Sequence, residues 1–304
     1  MALEQADAGV LAACEREIPI ALPGEVLIRV HACGVCRTDL QLLDGELTPA
    51  EVPIVPGHEV VGLVEVVGDG VTHLTIGDRV GVPWLGYTCG ACEYCASGRE
   101  NLCRDARFTG LHMDGGYAEY AVVDAAYAFK LPDGYSDAEA APLLCAGVIG
   151  YRAYRLAGNG RRLGLFGGGP AADLIAQLAA HQKREVYTVT AAAPAPVLLD
   201  AAIVFSTEGR LVTEALSLLA PGGCVVCAGL HMSDIPAFPF SDLAGDRVIR
   251  SVSHHTRDDV RELLALAATV PLNARVQPYP LADANRAIAD LRGGRLDGAA
   301  VLTL

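Results

Sequence analysis

Four thiols fall within fifteen residues in Cys89-Gly-Ala-Cys92-Glu-Tyr-Cys95 and Cys103. Two-residue spacers let consecutive cysteines fold around one ion, and a fourth from across a short loop closes a tetrahedron. The spacing therefore predicts a structural zinc held by four thiolates. The Gly, Glu, Ser and Arg among them are loop residues, which argues against four buried, unligated cysteines. A closed shell of this kind pins local shape and leaves no position for a substrate.

A second set is dispersed. Cys36 stands in Cys33-Gly34-Val35-Cys36-Arg37-Thr38-Asp39, His58 in Pro56-Gly57-His58-Glu59, and Cys145 in Leu143-Leu144-Cys145-Ala146-Gly147. Each alone would be packing. Together, two thiolates and one imidazole leave a fourth zinc position open for water or substrate.

Elements must hold these residues in place. The first half reads as short strands, Gly24–Val30, Val60–Val67, Arg79–Val82 and Tyr117–Val123, separated by glycine turns, which suggests an irregular β-rich barrel. From about Ala140 the texture changes. An apolar-periodic segment over Asp137–Leu156 leads to strand Arg162–Phe166, helix Pro170–Gln182 and strand Glu185–Val189. Strand Ala201–Phe205, helix Leu211–Leu219 and strand Gly223–Gly229 follow. Alternation of this kind predicts βαβ units and a parallel sheet. A helix near Asp283–Arg292 and a strand Ala299–Leu304 return to the first domain.

The 304 residues are 52% hydrophobic and 19% charged, with a formal net charge of −13 and no Lys/Arg-rich run. That composition excludes a mainly disordered chain and offers no basic face for nucleic acid. Met1–Ile20 has neither the basic start nor the apolar centre of a signal peptide. The most apolar stretches, such as Ala140–Gly150, are too short for a membrane span. The expectation is a cytoplasmic protein in which the ten cysteines are metal ligands or small buried hydrophobes rather than disulfides.

The motifs GEVLIRV, CGVCRTDL, VPGHEVVG, GDRVGVPW, the CxxCxxC…C lobe, GGYAEYAVV, LLCAG and PGG…AGLHMSDIPAF occur in an order that resembles the zinc-containing medium-chain alcohol dehydrogenases. The likeness covers nearly the whole chain. It implies an α/β fold: a GroES-like, zinc-binding catalytic domain over 1–150, completed by about 270–304, and a Rossmann-like domain over 151–269. By that resemblance Cys36, His58 and Cys145 bind a catalytic zinc, and Cys89, Cys92, Cys95 and Cys103 a structural one. Glu59 stands behind the catalytic ion, Asp39 orients His58, Thr38 hydrogen-bonds the substrate oxygen, and Trp84 and His112 line the substrate cleft.

The family also implies a nicotinamide dinucleotide on the first strand–turn–helix of the second domain, where Gly167 and Gly169 fit the first two glycines and Ala172 the third. Several departures fall on that ligand's footprint. Pro170 has no N–H for a phosphate, and Asp173 brings negative charge to the helix start. No acid or base follows strand Glu185–Val189. Only Ala191–Asp200 separates it from the next strand, too few residues for the helix–strand–helix that walls an adenosine pocket, so the Rossmann-like domain reads as truncated. Gln41 replaces a proton-relaying histidine of the relatives and cannot titrate near neutrality.

These departures argue against NAD(P). The expectation is an enzyme with two zinc ions that has moved to nicotinamide-independent Lewis-acid chemistry, namely hydrolysis, elimination or cyclisation of a small carbonyl or hydroxyl compound. An NAD(P)-dependent alcohol dehydrogenase or carbonyl reductase is the alternative, and a non-catalytic, zinc-stabilised binding protein the second. The partners expected are a small-molecule substrate and further copies of the chain, with neither nucleic acid nor membrane. Cys224-Val-Val-Cys227 reads as core, His254-His255 as a solvated loop, and His31 and Cys33 as packing.

Overall fold

The computed structural model describes residues 1–7, 9–190 and 195–304. In chain order it begins with β1 (Ala2–Asp7), β2 (Val10–Cys14), β3 (Glu25–Val35), α1 (Arg37–Leu43), β4 (Val60–Val67), β5 (Arg79–Val82) and β6 (Leu85–Tyr87). There follow α2 (Glu93–Ala96), β7 (Arg107–Phe108), β8 (Tyr120–Asp124), β9 (Phe129–Lys130), α3 (Asp137–Ala140) and α4 (Ala146–Leu156). Next come β10 (Arg162–Phe166), α5 (Pro170–His181), β11 (Glu185–Val189), β12 (Leu199–Val204), α6 (Arg210–Ser217), β13 (Leu219–Cys227) and α7 (Phe240–Leu243). The chain closes with β14 (Val248–Ser251), α8 (Arg257–Ala267), β15 (Val276–Pro280), α9 (Ala284–Arg292) and β16 (Ala299–Thr303). Among the described residues no helix is long and apolar enough to cross a membrane.

Contacts divide the chain into two compact units. The first comprises Met1–Cys145, His254–Ala268 and Asn273–Leu304; the second Ala146–Ser253 and Thr269–Leu272. In the first, β15, β16, β3, β4, β5 and β9 form one sheet path, and β8 also pairs with β3. Strand β3 lies antiparallel to both β4 and β16 and carries the chain straight into Cys36. Its inward side chains, Val26, Ile28, Val30 and Cys33, pack with Val60, Val64, Val80 and Tyr117. Each fully buried aliphatic side chain in such a core contributes about 1.5–3 kcal/mol. Helix α8 groups with this unit, not with the second domain where 151–269 was expected to run. The reason is visible at its ends: Arg257 binds Glu100, and the Ala267 carbonyl accepts from the Tyr135 hydroxyl at 3.1 Å.

The second unit is a parallel sheet in the order β11-β10-β12-β13-β14. Its strands read as apolar runs because both faces are covered; Leu163, Leu165, Phe166, Ile203 and Val204 are all buried. Helix α5 starts on Pro170, preset for a first helical residue, and buries Ala172, Leu174, Ile175, Leu178 and Ala179. Strand β11 ends at Val189 and β12 starts at Leu199; in the segment expected to be too short for a crossover, Ala191–Pro194 lie outside the described residues.

Three sequence readings need correction. Asp137–Leu156 is not one periodic segment: α3, a 3-10 turn over Ala141–Leu144 and α4 are separate, with Cys145 at φ −127°, ψ −75° between the last two. Pro142 at the start of that turn disfavours a continuous α-helix, and the break leaves Cys145 outside both helices. Tyr117 falls before β8, where its N–H bonds the Pro56 carbonyl instead of a neighbouring strand. His31 is more than packing, since its Nδ1 lies 3.0 Å from Asp137; Cys33 is buried on β3.

Candidate functional site

Cys36 ends β3's run and becomes the N-cap of α1. Its sulfur accepts the Thr38 N–H at 3.3 Å, and its own N–H donates to Asp39 Oδ2 at 2.9 Å, a reciprocal pair that starts the helix. The other oxygen of Asp39 lies 3.6 Å from Nδ1 of His58, whose Nε2 lies 3.2 Å from Cys36 Sγ. Asp39 thus serves helix start and histidine together. Gly57 makes this possible: its φ is +95°, and a Cβ there would meet Tyr117 Cδ1 at 2.4 Å. Gly34 leaves room for Glu59, whose carboxylate a Cβ would meet at 1.9 Å.

Cys145, on the break before α4, completes the group. One ligand atom each from Cys36, His58, Glu59 and Cys145 lies within 4.8 Å of all the others. His58 and Glu59 are buried and the two thiols half-buried. The hydrogen bond from Cys145 holds the Cys36 thiol well below its ordinary value, against the opposing effect of burial, and His58 adds to the lowering. The same bond, with burial, pushes Cys145 up. Burial keeps Glu59 well above the usual carboxylate range. Soft thiolates and an imidazole with an aspartate behind it suit zinc, which would release the protons these groups share. Nδ1 of His58 is buried and has no partner closer than Asp39 Oδ1 at 3.6 Å.

The second cysteine set also converges. Cys89 and Cys103 lie 3.5 Å apart, Cys92 and Cys95 3.5 Å, and Cys89 and Cys95 3.9 Å. Cys92 caps α2, which carries Cys95, and a 3-10 turn over Glu100–Leu102 delivers Cys103. Backbone N–H groups of Ala91 and Cys92 lower the Cys89 thiol to about 7. Burial, then the Cys92 thiol, pushes Cys95 to about 11. All ten cysteines are free of disulfides.

An aromatic row flanks the first set. Trp84 meets His58 edge-on at 4.6 Å and stacks on Phe108 at 5.1 Å. His112 lies 5.4 Å from Phe108 and accepts its N–H at 3.1 Å. His254 lies 4.6 Å from Phe108, while His255 is buried. These two histidines are therefore not the solvated loop the sequence suggested, and Phe108 was missed altogether. Cys224 and Cys227 are half-buried on β13 rather than fully in the core. Thr38 is half-buried beside Cys36. The Gln41 amide donates to Glu46 at 3.2 Å, and its oxygen is buried without a partner.

In the second unit, Gly167 has φ +83° and Gly169, the N-cap of α5, φ +113°. A Cβ on Gly168 or Gly169 would meet nothing within 4 Å, whereas one on Gly167 would meet the Ser206 amide at 2.8 Å. The result is an open turn against a helix start whose Ala171 and Ala172 N–H groups have no intrahelical acceptors. That turn has the open backbone and amides that a phosphate would need, and Pro170 removes one donor from it.

Residues 22–133 match the family description "Alcohol dehydrogenase GroES-like domain". A Mycobacterium tuberculosis (strain CDC 1551 / Oshkosh) protein carrying the name "Probable alcohol dehydrogenase AdhA" is 45% identical over 325 residues, covering 98% of this chain and 94% of the relative. A thermostable alcohol dehydrogenase from Pyrobaculum aerophilum, solved with cobalt and zinc, is 26% identical at a TM-score of 0.86, covering all of both chains. A Sinorhizobium meliloti 1021 protein described as a zinc-binding dehydrogenase, solved with NADP, is 25% identical at a TM-score of 0.86, covering 100% of this chain and 98% of its own. The chain belongs to the zinc-type medium-chain alcohol dehydrogenase family. It pairs a GroES-like domain with a parallel-sheet, Rossmann-like one, and is an enzyme of that family.

Proposed function

We propose that the chain is a zinc-dependent alcohol dehydrogenase or carbonyl reductase that uses NAD(H) or NADP(H) on a small molecule. The observation that carries this reading is the coexistence of two intact features: the Cys36, His58, Cys145 donor set with Asp39 behind it, and the open Gly167–Gly169 turn before α5. The nicotinamide-independent chemistry expected from the sequence has no support in the three relatives described above, which carry dehydrogenase names and of which one was solved with NADP.

Cys36, His58 and Cys145 would hold one zinc, and Cys89, Cys92, Cys95 and Cys103 the other. When bound, the first ion supplies a Lewis acid and the dinucleotide a hydride donor or acceptor. The chain's own residues do the rest. Asp39 keeps His58 in the tautomer whose Nε2 is free to ligate. Thr38 would hydrogen-bond the substrate oxygen, Trp84 offers an apolar wall, and Glu59 stands buried beside the ligand set. Gly167, Gly169 and the first amides of α5 would receive the phosphates. The short β11–β12 connection would leave less chain to wall the adenosine side.

Titration of NADH and of NADPH, followed by cofactor fluorescence, tests the reading together with Cys36→Ser. Saturable micromolar binding and loss of alcohol oxidation in Cys36→Ser are expected. Absence of binding by either dinucleotide, with zinc loaded, would refute it.

A further inference from the structure

The four-cysteine lobe is joined to the aromatic row through one buried carboxylate that neither metal set uses. Glu100 lies on the turn between Cys95 and Cys103 and is itself buried. Its Oε1 accepts the Arg257 backbone N–H and the Arg257 Nε–H, both at 2.9 Å. The backbone N–H is the first of α8, which the capping pair Thr256 and Asp259 does not satisfy: Thr256 Oγ1 takes the Asp259 N–H, and Asp259 Oδ2 takes the Thr256 N–H at 2.8 Å. A carboxylate there also meets the positive end of the helix. The Arg257 guanidinium lies 5.1 Å over the Tyr127 ring, and the Tyr127 hydroxyl is 2.7 Å from Thr88, the residue before Cys89. The helix start is therefore held from the lobe at two points.

Directly before that start stand His254, His255 and Thr256. His254 has φ +49°, a backbone state unfavourable for a residue with a Cβ and kept only where surroundings fix it. Its ring packs on Phe108, Phe108 on Trp84, and Trp84 on His58.

We propose that Glu100 is a positioning residue: by clamping the first turn of α8 to the four-cysteine lobe it sets His254 against Phe108, and through Phe108 the orientation of Trp84 at His58. The lobe thus does more than stabilise its own loop. It acts at a distance on the wall beside the catalytic ligand set.

Trp84 is the chain's single tryptophan, so its emission reports this wall directly, whatever reaction the enzyme runs. The test compares the zinc-loaded full-length protein with Glu100→Gln and Arg257→Gln, using Asp200→Asn as a control that breaks an ion pair in the other unit. Both relay variants should shift Trp84 emission to longer wavelength and raise its quenching by acrylamide about twofold, with metal content unchanged; the control should match wild type. If Glu100→Gln does not fold, His254→Ala cuts the relay at its far end and must move the same signal. Wild-type emission and quenching in folded Glu100→Gln and Arg257→Gln would overturn the proposal. So would a shift accompanied by loss of one metal, since unfolding of the lobe would then account for it.

Discussion

Asp39 Oδ1 lies 3.6 Å from His58 Nδ1 while its other oxygen holds the Cys36 N–H. One carboxylate therefore aligns two ligands carried by segments more than twenty residues apart. Asp39→Asn keeps an acceptor for the helix start but loses the charge behind the imidazole. Affinity for one of two metals should fall about 10–100-fold, read by competition with a chromogenic chelator. Unchanged affinity would remove Asp39 from the site.

The two ligand sets should empty independently. Cys103→Ala is expected to lower metal content by one ion per chain and expose the 89–103 loop to protease. Cys36→Ser should lower content by one ion and leave that loop resistant. Elemental analysis with limited proteolysis checks both, and loss of both ions in either variant would contradict the separation.

The glycine turn offers a clean separation of binding from folding. Gly168 has open space around it, so Gly168→Asp should fold normally yet set a negative charge where a pyrophosphate would approach. NADH affinity should drop at least about tenfold, or 1.4 kcal/mol, with little change in Tm. Gly167→Ala should lower Tm instead, because a positive φ and the Ser206 amide both oppose a Cβ.

Glu100 gives a pH dependence with a definite sign. Burial pushes its carboxyl up, but the Arg257 bonds and charge more than offset this and hold it below its ordinary 4.5. A lowered folded value means stability that is present above about 4.5 and lost as pH falls through the folded value. Glu100→Gln should therefore be less stable than wild type at neutral pH, and the gap should narrow on acidification below 4.5. Urea midpoints across that range measure it; a gap independent of pH would show that the charge contributes nothing.

Much of this was legible in the chain itself. Cys89 to Cys103 are close in sequence, so spacing alone indicated that their sulfurs converge, as they do. Strands β4, β5, β10 and β11 fall on the residues their patterns indicated, because alternation and apolar runs are local signals. Cys145 was different: within Asp137–Leu156 the apolar period hid the break that lifts it out of the helices. The Phe108–His254 contact was hidden further still, since it depends on Glu100 reaching a helix start 157 residues later in the chain. Packing between distant segments leaves no period to read.

Cys36 is at once the cap of α1 and a candidate ligand. Any oxidant or alkylating agent that reached its sulfur would be felt twice, in the winding of a helix and in the grip on an ion. Protection of that single atom is thus a condition for shape and chemistry alike.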